Sequence, residues 1–295
     1  MPLRISVVTP SYNQGRFIEA TIQSVLSQGI ADLEYVIYDN QSQDETLGIL
    51  SKYTPPVRWV SEPDRGQTHA VNKGICDTDG EIIGWLNSDD IYFLGAFKSV
   101  LDYFEAHPDI DVIYGDADHI DVDGQVIEAY YTEPWDLERL KDICYLCQPA
   151  VFFRRRVVER FGLLDERLRY CMDYEYWLRL GLGGARFGYL PEKLAGSRLY
   201  LENKTLGSKR KFHAEINDML FRTLGKVPDR WLFNYAHAVL DERGPRSEQA
   251  HFGLKVCLYT IRAALHWNHM VSYPMLQVFW RWGREGIHQK VRNWF

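Results

Sequence analysis

The chain has 295 residues, 46% apolar and 25% charged, enough for one large α/β domain or a domain with an appendage. That composition excludes a long disordered chain, and a net charge of −6 argues against nucleic acid as the main partner. The charge is uneven: residues 246–295 hold seven Lys/Arg and two Asp/Glu, so a basic tail follows a more acidic body.

Residues 4–10 (RISVVTP) are a β-rich run closed by Pro10. Over 17–28, Ile18, Ile22, Val25 and Leu26 recur at helical spacing. Residues 33–39 read as a second strand, and Ser42 as the cap of a helix over 45–52 that turns Leu47 and Leu50 inward. A third strand over 57–62 and a helix over 68–76 follow. A fourth strand in EIIGWL (81–86), an amphipathic helix over 95–107 and a fifth strand over 111–116 come next. This alternation predicts an α/β fold with a mostly parallel, Rossmann-like sheet flanked by helices. Residues 119–131 then read as a hairpin turning at Asp123-Gly124, and 150–155 as a strand with a helix through Phe161. A helix over 172–183 begins near Asp173, and 186–191 and 195–201 read as two closing strands. Beyond Leu206 the pattern is helical, interrupted at Pro228, Gly244-Pro245 and Pro274.

Ligands of an open parallel sheet bind beyond the carboxyl ends of its strands, so the residue after each strand matters. Those residues are Thr9-Pro10-Ser11-Tyr12-Asn13, then Asp39, then Glu62 and Asp64-Arg65-Gly66. Asn87-Ser88-Asp89-Asp90 follow the fourth strand, and Asp116 and Asp118 the fifth. One edge thus collects carboxylates, for which a shared ligand with a divalent ion is the economical reading. The chain has neither G-x-G-x-x-G nor a Walker loop, so Mg²⁺ or Mn²⁺ is the direct way to neutralise a bound diphosphate. Asp89 and Asp90, at the exit of the most apolar strand, are the preferred metal pair, with Asp116/Asp118 as competitor. Asp77/Asp79 and Asp121/Asp123 read as turns before Gly, and Asp109/Asp111 lies at the start of a strand.

Val7-Val8-Thr9-Pro10-Ser11-Tyr12-Asn13, the run from Asp39 to Thr46, Glu62 to Gln67, Asn72-Lys73-Gly74, Trp85 to Asp90 and Met172 to Arg179 stand in a specific order. In that order and spacing the chain resembles the family-2 inverting glycosyltransferases of the GT-A fold, over about residues 4–206. The resemblance implies a catalytic domain over 1–206, with a nucleotide-binding half to about 118 and an acceptor-binding half over 119–206. The helical region 207–295 lies outside it. It implies that Pro10, Tyr12 and Asp39 line a uracil or thymine pocket, and that Asp64 and Arg65 approach the nucleoside. Asp89 and Asp90 would hold ribose and the metal, and Asp173 would be the general base. Position alone also fits Asp173 as a helix N-cap, Asp39 as the start of an Asx turn, and Arg65 as a solvated cation. Trp85 and Trp177 read as core aromatics or sugar platforms, and Gln148-Pro149 as an acceptor contact or a loop end. The chain departs from the family at Tyr200, where relatives often carry a metal-binding His; a protonated Tyr is a poor ligand, and water could fill the place.

The expected activity is transfer of a sugar from a UDP- or dTDP-sugar to a glycan or lipid-linked acceptor. The alternative is a non-catalytic sugar-nucleotide-binding or scaffolding subunit. Five scattered cysteines predict reduced thiols and a cytoplasmic protein; Cys144 and Cys147 form a lone CxxC, read as apolar thiols over a metal or redox pair. The opening MPLRISVVTP reads as neither signal nor transit peptide, and no run of about 18 apolar residues occurs. The tail interleaves Trp267, Trp280, Trp282 and Trp294 with Lys255, Arg262, Arg281, Arg284, Lys290 and Arg292. That pattern fits peripheral contact with the cytoplasmic face of a membrane, and equally helical packing or a homodimer interface.

Overall fold

The computed structural model describes residues 3–200 and 208–285, with side chains left aside for 283–285. The described residues form two compact units: 3–137 with 144–200, and 138–143 with 208–285.

The first unit opens with β1 (Ile5–Ser11), buried throughout, then α1 (Ile18–Leu26) and β2 (Glu34–Asp39). No side chain caps α1. Its buried Ile18, Ile22 and Val25 hold it, at about 1.5–3 kcal/mol each against the roughly 1 kcal/mol of a cap. The chain continues through α2 (Thr46–Leu50), β3 (Arg58–Ser61), α3 (Gln67–Cys76), β4 (Ile82–Trp85), β5 (Ile91–Tyr92) and α4 (Ala96–Ala106). β6 (Val112–Ile120) and β7 (Val126–Ala129) form the predicted hairpin, with Gly124 at φ +81°. α5 (Leu137–Asp142), β8 (Val151–Arg154), α6 (Arg155–Phe161), α7 (Met172–Leu182) and β9 (Phe187–Arg198) follow.

β3, β2, β1 and β4 are parallel neighbours in that order. β8 runs antiparallel between β4 and β6, β9 lies parallel to β6, and β5 and β7 pair antiparallel to β9 and β6. The α/β fold is the predicted one, parallel through β4 and mixed beyond it. Ile5, Val7, Ile37, Ile82, Ile113 and Phe152 from the strands pack with Ile18, Ile22, Phe97 and Phe104 from α1 and α4. On α3, a Cβ at Gly74 would lie 2.2 Å from Val8 Cγ1, so the helix meets β1 at a distance that only glycine permits.

Three expectations change. Ser42 does not cap α2; Asp44 Oδ1 accepts the Thr46 N–H at 3.0 Å, while Ser42 turns to Asp39. The two closing strands are one, β9, because the break read at Pro191 is only a register shift opposite Gly115–Ala117. The fifth strand runs on to Ile120, so Asp116 and Asp118 lie inside β6 and not beyond it. Tyr189 donates its hydroxyl to Asp116 at 2.6 Å, and Lys193 pairs with Asp118 at 2.7 Å, so the competing acidic pair is engaged within the sheet.

The second unit comprises α8 (Lys209–Leu224), α9 (Asp229–Asp241), α10 (Phe252–Trp267) and α11 (Tyr273–Glu285). Residues 138–143 belong to it, although the sequence reading put them with the sheet: Leu140 is buried, and the Lys141 carbonyl accepts the Trp231 indole N–H at 3.2 Å. Breaks occur at Pro228 and Gly244-Pro245 as predicted, but Pro274 sits in the first turn of α11, where its missing N–H costs nothing. The tail tryptophans divide. Trp267 is buried and donates to Asp218, Trp282 is buried against Phe233, and Trp280 is exposed; Trp294, Lys290 and Arg292 lie outside the described residues. No described helix is long and apolar enough to cross a membrane.

Burial pushes the imidazoles of His213 and His237 down to about 4 from the ordinary 6.5, with Lys209 and Arg246 respectively adding to it. Between these values the unfolded chain binds more protons than the folded one, so stability falls as pH drops from about 6.5 towards about 4. Each histidine then contributes a slope of about 1.4 kcal/mol per pH unit at most. Urea unfolding of His237→Gln at pH 7.5 and 5 should show a smaller loss in acid than the parent; an equal loss would contradict this.

Candidate active site

The exits of β1, β2 and β3 are tied together by side chains. Asp39 is buried at the end of β2 and accepts from the Ser42 N–H at 2.9 Å, the Ser42 hydroxyl at 2.5 Å and the Ser61 hydroxyl at 2.7 Å. The Ser42 hydroxyl oxygen accepts from the Asn13 N–H at 2.8 Å, and Asn13 Oδ1 accepts from the Gln43 N–H at 2.8 Å. Pro10 is buried near the end of β1, while Tyr12 is 56% exposed, its ring open to a flat ligand. Asp64 accepts the Gly66 N–H at 2.7 Å and its own N–H reaches Asn40 at 2.9 Å. Arg65 forks onto one oxygen of Glu166 at 2.6 and 3.0 Å. Both partners stand in solvent, where such a pair is worth roughly 0–1 kcal/mol, so a ligand anion could displace Glu166 at little cost.

Asn87–Asp90 form a turn after β4. The Asp90 N–H returns to the Asn87 carbonyl at 3.1 Å, and Thr21 of α1 donates its hydroxyl to the carbonyls of Ser88 and Asp90. Asn87 uses both ends of its amide: Oδ1 accepts from Trp85 Nε1 at 2.9 Å and Gln67 at 2.7 Å, and Nδ2 donates to Gln148 at 2.9 Å. Gln148 in turn donates to the Trp85 carbonyl at 2.6 Å. Asp90 is 4% exposed and accepts the Arg198 N–H at 2.8 Å. Burial, then the charge of Asp89, push its carboxyl well above the usual range, against the pull of Arg198 and Asn87. Asp89 is partly exposed; Tyr200 donates its hydroxyl to Asp89 Oδ2 at 2.8 Å, and the Asp89 carbonyl accepts Arg198 Nε at 2.7 Å.

Asp173 is the second residue of α7, which starts after Cys171, so it is not the N-cap; its Oδ1 accepts the Tyr174 N–H at 2.8 Å. The dipole at the first turn of a helix favours an anion there. Its charge raises the thiols of Cys144 and Cys147, in each case after burial, and Asp90 acts on Cys147 as well. One buried thiol therefore feels both the β4 turn and the start of α7. Trp85 and Trp177 are core aromatics, buried and closed to a sugar.

A sequence model of glycosyl transferase family 2 matches residues 6–162, more than half of the chain. The chain belongs to glycosyl transferase family 2. It is 29% identical over 226 residues to a chondroitin synthase of Escherichia coli, covering 74% of this chain and 33% of that protein. To a hyaluronan synthase of Pasteurella multocida it is 28% identical over 218 residues, 71% of this chain and 22% of that one. The chain thus spans a third or less of these two relatives. Among solved structures, S. aureus TarS 1–349 in complex with UDP-GlcNAc aligns with a TM-score of 0.64 at 19% identity, covering 96% of this chain and 88% of that one. The mannosyltransferase PcManGT of Pyrobaculum calidifontis, in complex with GDP-Man and Mn2+, aligns at 0.61 and 17% identity, covering 100% of this chain and 83% of that one. These likenesses show the GT-A fold.

The family-2 frame makes the metal question specific. Among the described residues no group of three or more His, Cys, Asp or Glu is arranged to hold an ion. Mg²⁺ and Mn²⁺ need less: one or two carboxylates, with phosphate oxygens and water. Asp89, partly exposed on a turn fixed by its neighbours, fits that demand through its hard carboxylate oxygens. Sequence reasoning missed Arg198 and Glu166, and named Gln67 within the Glu62–Gln67 motif without a role. A charged residue inside the β-rich AGSRLYL was the available signal for Arg198; Glu166 had none.

Tyr200 orients Asp89 from behind. Tyr200→Phe keeps the ring beside Phe17, 5.1 Å away, and removes the hydrogen bond. Titrating UDP at a series of Mn²⁺ concentrations should show a metal requirement raised about tenfold in this variant; superimposable curves would remove the orienting role.

Proposed function

We propose that this chain transfers a sugar from a UDP- or dTDP-sugar to a hydroxyl of a glycan or lipid-linked saccharide, with inversion at the anomeric carbon. The observation that supports it is the partly exposed Asp89 on a β4 turn held by Thr21, Arg198 and Gln148, at the strand-end edge that also carries Asp39, Tyr12 and Asp64. Pro10 and Tyr12 flank the base, Asp39 accepts from its ring N–H, and Asp64 and Arg65 meet the nucleoside. Asp39 Oδ1 has an acceptor direction beyond its Ser42 bond. Asp89 would meet the ribose and hold Mg²⁺ or Mn²⁺, while Asp90, also expected from the sequence at the metal, is buried and bonded to the Arg198 N–H.

Bound there, the ion supplies Lewis-acid stabilisation of charge on the leaving diphosphate. The acceptor oxygen forms its bond to the anomeric carbon as the sugar–phosphate bond breaks, through an oxocarbenium-like state. Asp173 takes the proton that this oxygen loses. The relatives named for chondroitin and hyaluronan synthesis support a glycan acceptor, and the neighbours holding UDP-GlcNAc or GDP-Man with Mn2+ support a nucleotide-sugar donor and a metal. The cysteine pattern supports the cytoplasm as the compartment.

Asp173→Asn should lower sugar transfer about 10²–10⁴-fold while UDP binding with Mn²⁺, measured by calorimetry, stays unchanged. Unchanged turnover would remove Asp173 from its role. Intact UDP binding with no donor turned over by the parent protein would return the non-catalytic reading.

A further inference from the structure

α10 and α11 carry large apolar side chains on the faces turned away from their own packing. In α10 the buried positions are Gly253, Val256, Thr260, Ala263, Ala264 and Trp267. Leu254, Leu258 and Leu265 recur on the opposite side of that helix, each at least half exposed. In α11 Met275 and Trp282 are buried, while Tyr273 and Trp280 are 72% and 65% exposed and Leu276 stands out beside them. Apolar residues scattered singly over a surface need no explanation, but two consecutive helices with outward apolar stripes do.

The charges that these two helices carry are nearly all of one sign. α10 contains no Asp or Glu, and the one acid of α11 is Glu285 at its end. Arg262 and Arg281 are exposed, and Lys255 is partly so. A second copy of the same face would bring these cations together. An anionic lipid surface takes both features: Leu, Tyr and Trp enter the headgroup–acyl boundary, and the basic side chains meet phosphate.

We propose that Leu254, Leu258, Leu265, Tyr273, Leu276 and Trp280, with Arg262 and Arg281, seat this protein on an anionic phospholipid surface. The inference deepens the reading of a lipid-linked acceptor and rests on it for its purpose, but its test does not use the transfer reaction. The full chain is sedimented with vesicles of phosphatidylglycerol and phosphatidylcholine, and with phosphatidylcholine alone. Binding to the anionic vesicles is expected, at least about tenfold weaker in the doubly substituted Leu258→Glu/Leu276→Glu protein. Arg262→Gln and Arg281→Gln should each weaken it about fivefold. Thermal unfolding and UDP binding, measured on the same variants, should match the parent, which separates a lost surface from a lost fold. No vesicle binding by the parent, or binding that the leucine variants retain, would overturn the proposal. So would a dimer in solution that those variants abolish, since the face would then belong to a second copy. Failure of UDP binding in the parent would count against the proposed reaction and leave the vesicle result standing.

Discussion

Two adjacent carboxylates at the end of a strand repel, and one of them is out of water. Arg198 is what lets Asp89 and Asp90 stay there. Its N–H meets the Asp90 carboxylate, its Nε the Asp89 carbonyl, another guanidinium nitrogen the Asp121 carbonyl, and its plane lies 4.8 Å over the Phe17 ring. Burial pushes the Arg198 guanidinium down and the Asp90 carboxyl up, and the charge of each pulls the other part of the way back. The turn is gripped from other sides as well: Thr21 holds two of its carbonyls, and Asn87 joins it to Gln148 and Gln67. A carboxylate presented from so fixed a turn meets a cation without reorganising, which is the condition for a useful charge in a reaction centre.

The same economy of fixed positions runs around the sheet edge. Asn72 and Thr68 on α3 bond to the carbonyls of Leu164 and Leu168, and Asn72 Oδ1 accepts the Leu164 N–H. The loop so held leads into α7 and carries Glu166, the partner of Arg65. Residues assigned to the nucleoside and the residue assigned to the acceptor proton therefore share a scaffold, although long stretches of sequence separate them.

Much of this was legible beforehand because it follows from periodicity and punctuation. β1 to β4 are short apolar runs ending in polar residues, and those polar residues lie at one edge because parallel strands align their ends. What lay hidden depends on contacts between distant segments. Asp116 and Asp118 looked like exits because the alternation after Tyr114 resembles a loop, yet pairing with β9 and β7 carries the strand on to Ile120. Ser42 looked like a cap because it precedes a helix, but a buried Asp39 offers its hydroxyl a better acceptor. Trp267 and Trp282 looked like partners of Trp280 at an interface; packing against Asp218 and Phe233 takes them inside, and only the three-dimensional arrangement separates them.

The most direct measurement is a crystal structure with UDP and Mn²⁺, with the ion located by its anomalous scattering. The account predicts one manganese peak at about 2.0–2.2 Å from an Asp89 carboxylate oxygen and from a diphosphate oxygen, with Asp90 still bonded to Arg198. UDP bound with its diphosphate away from the β4 turn, or manganese held by other residues, would contradict it.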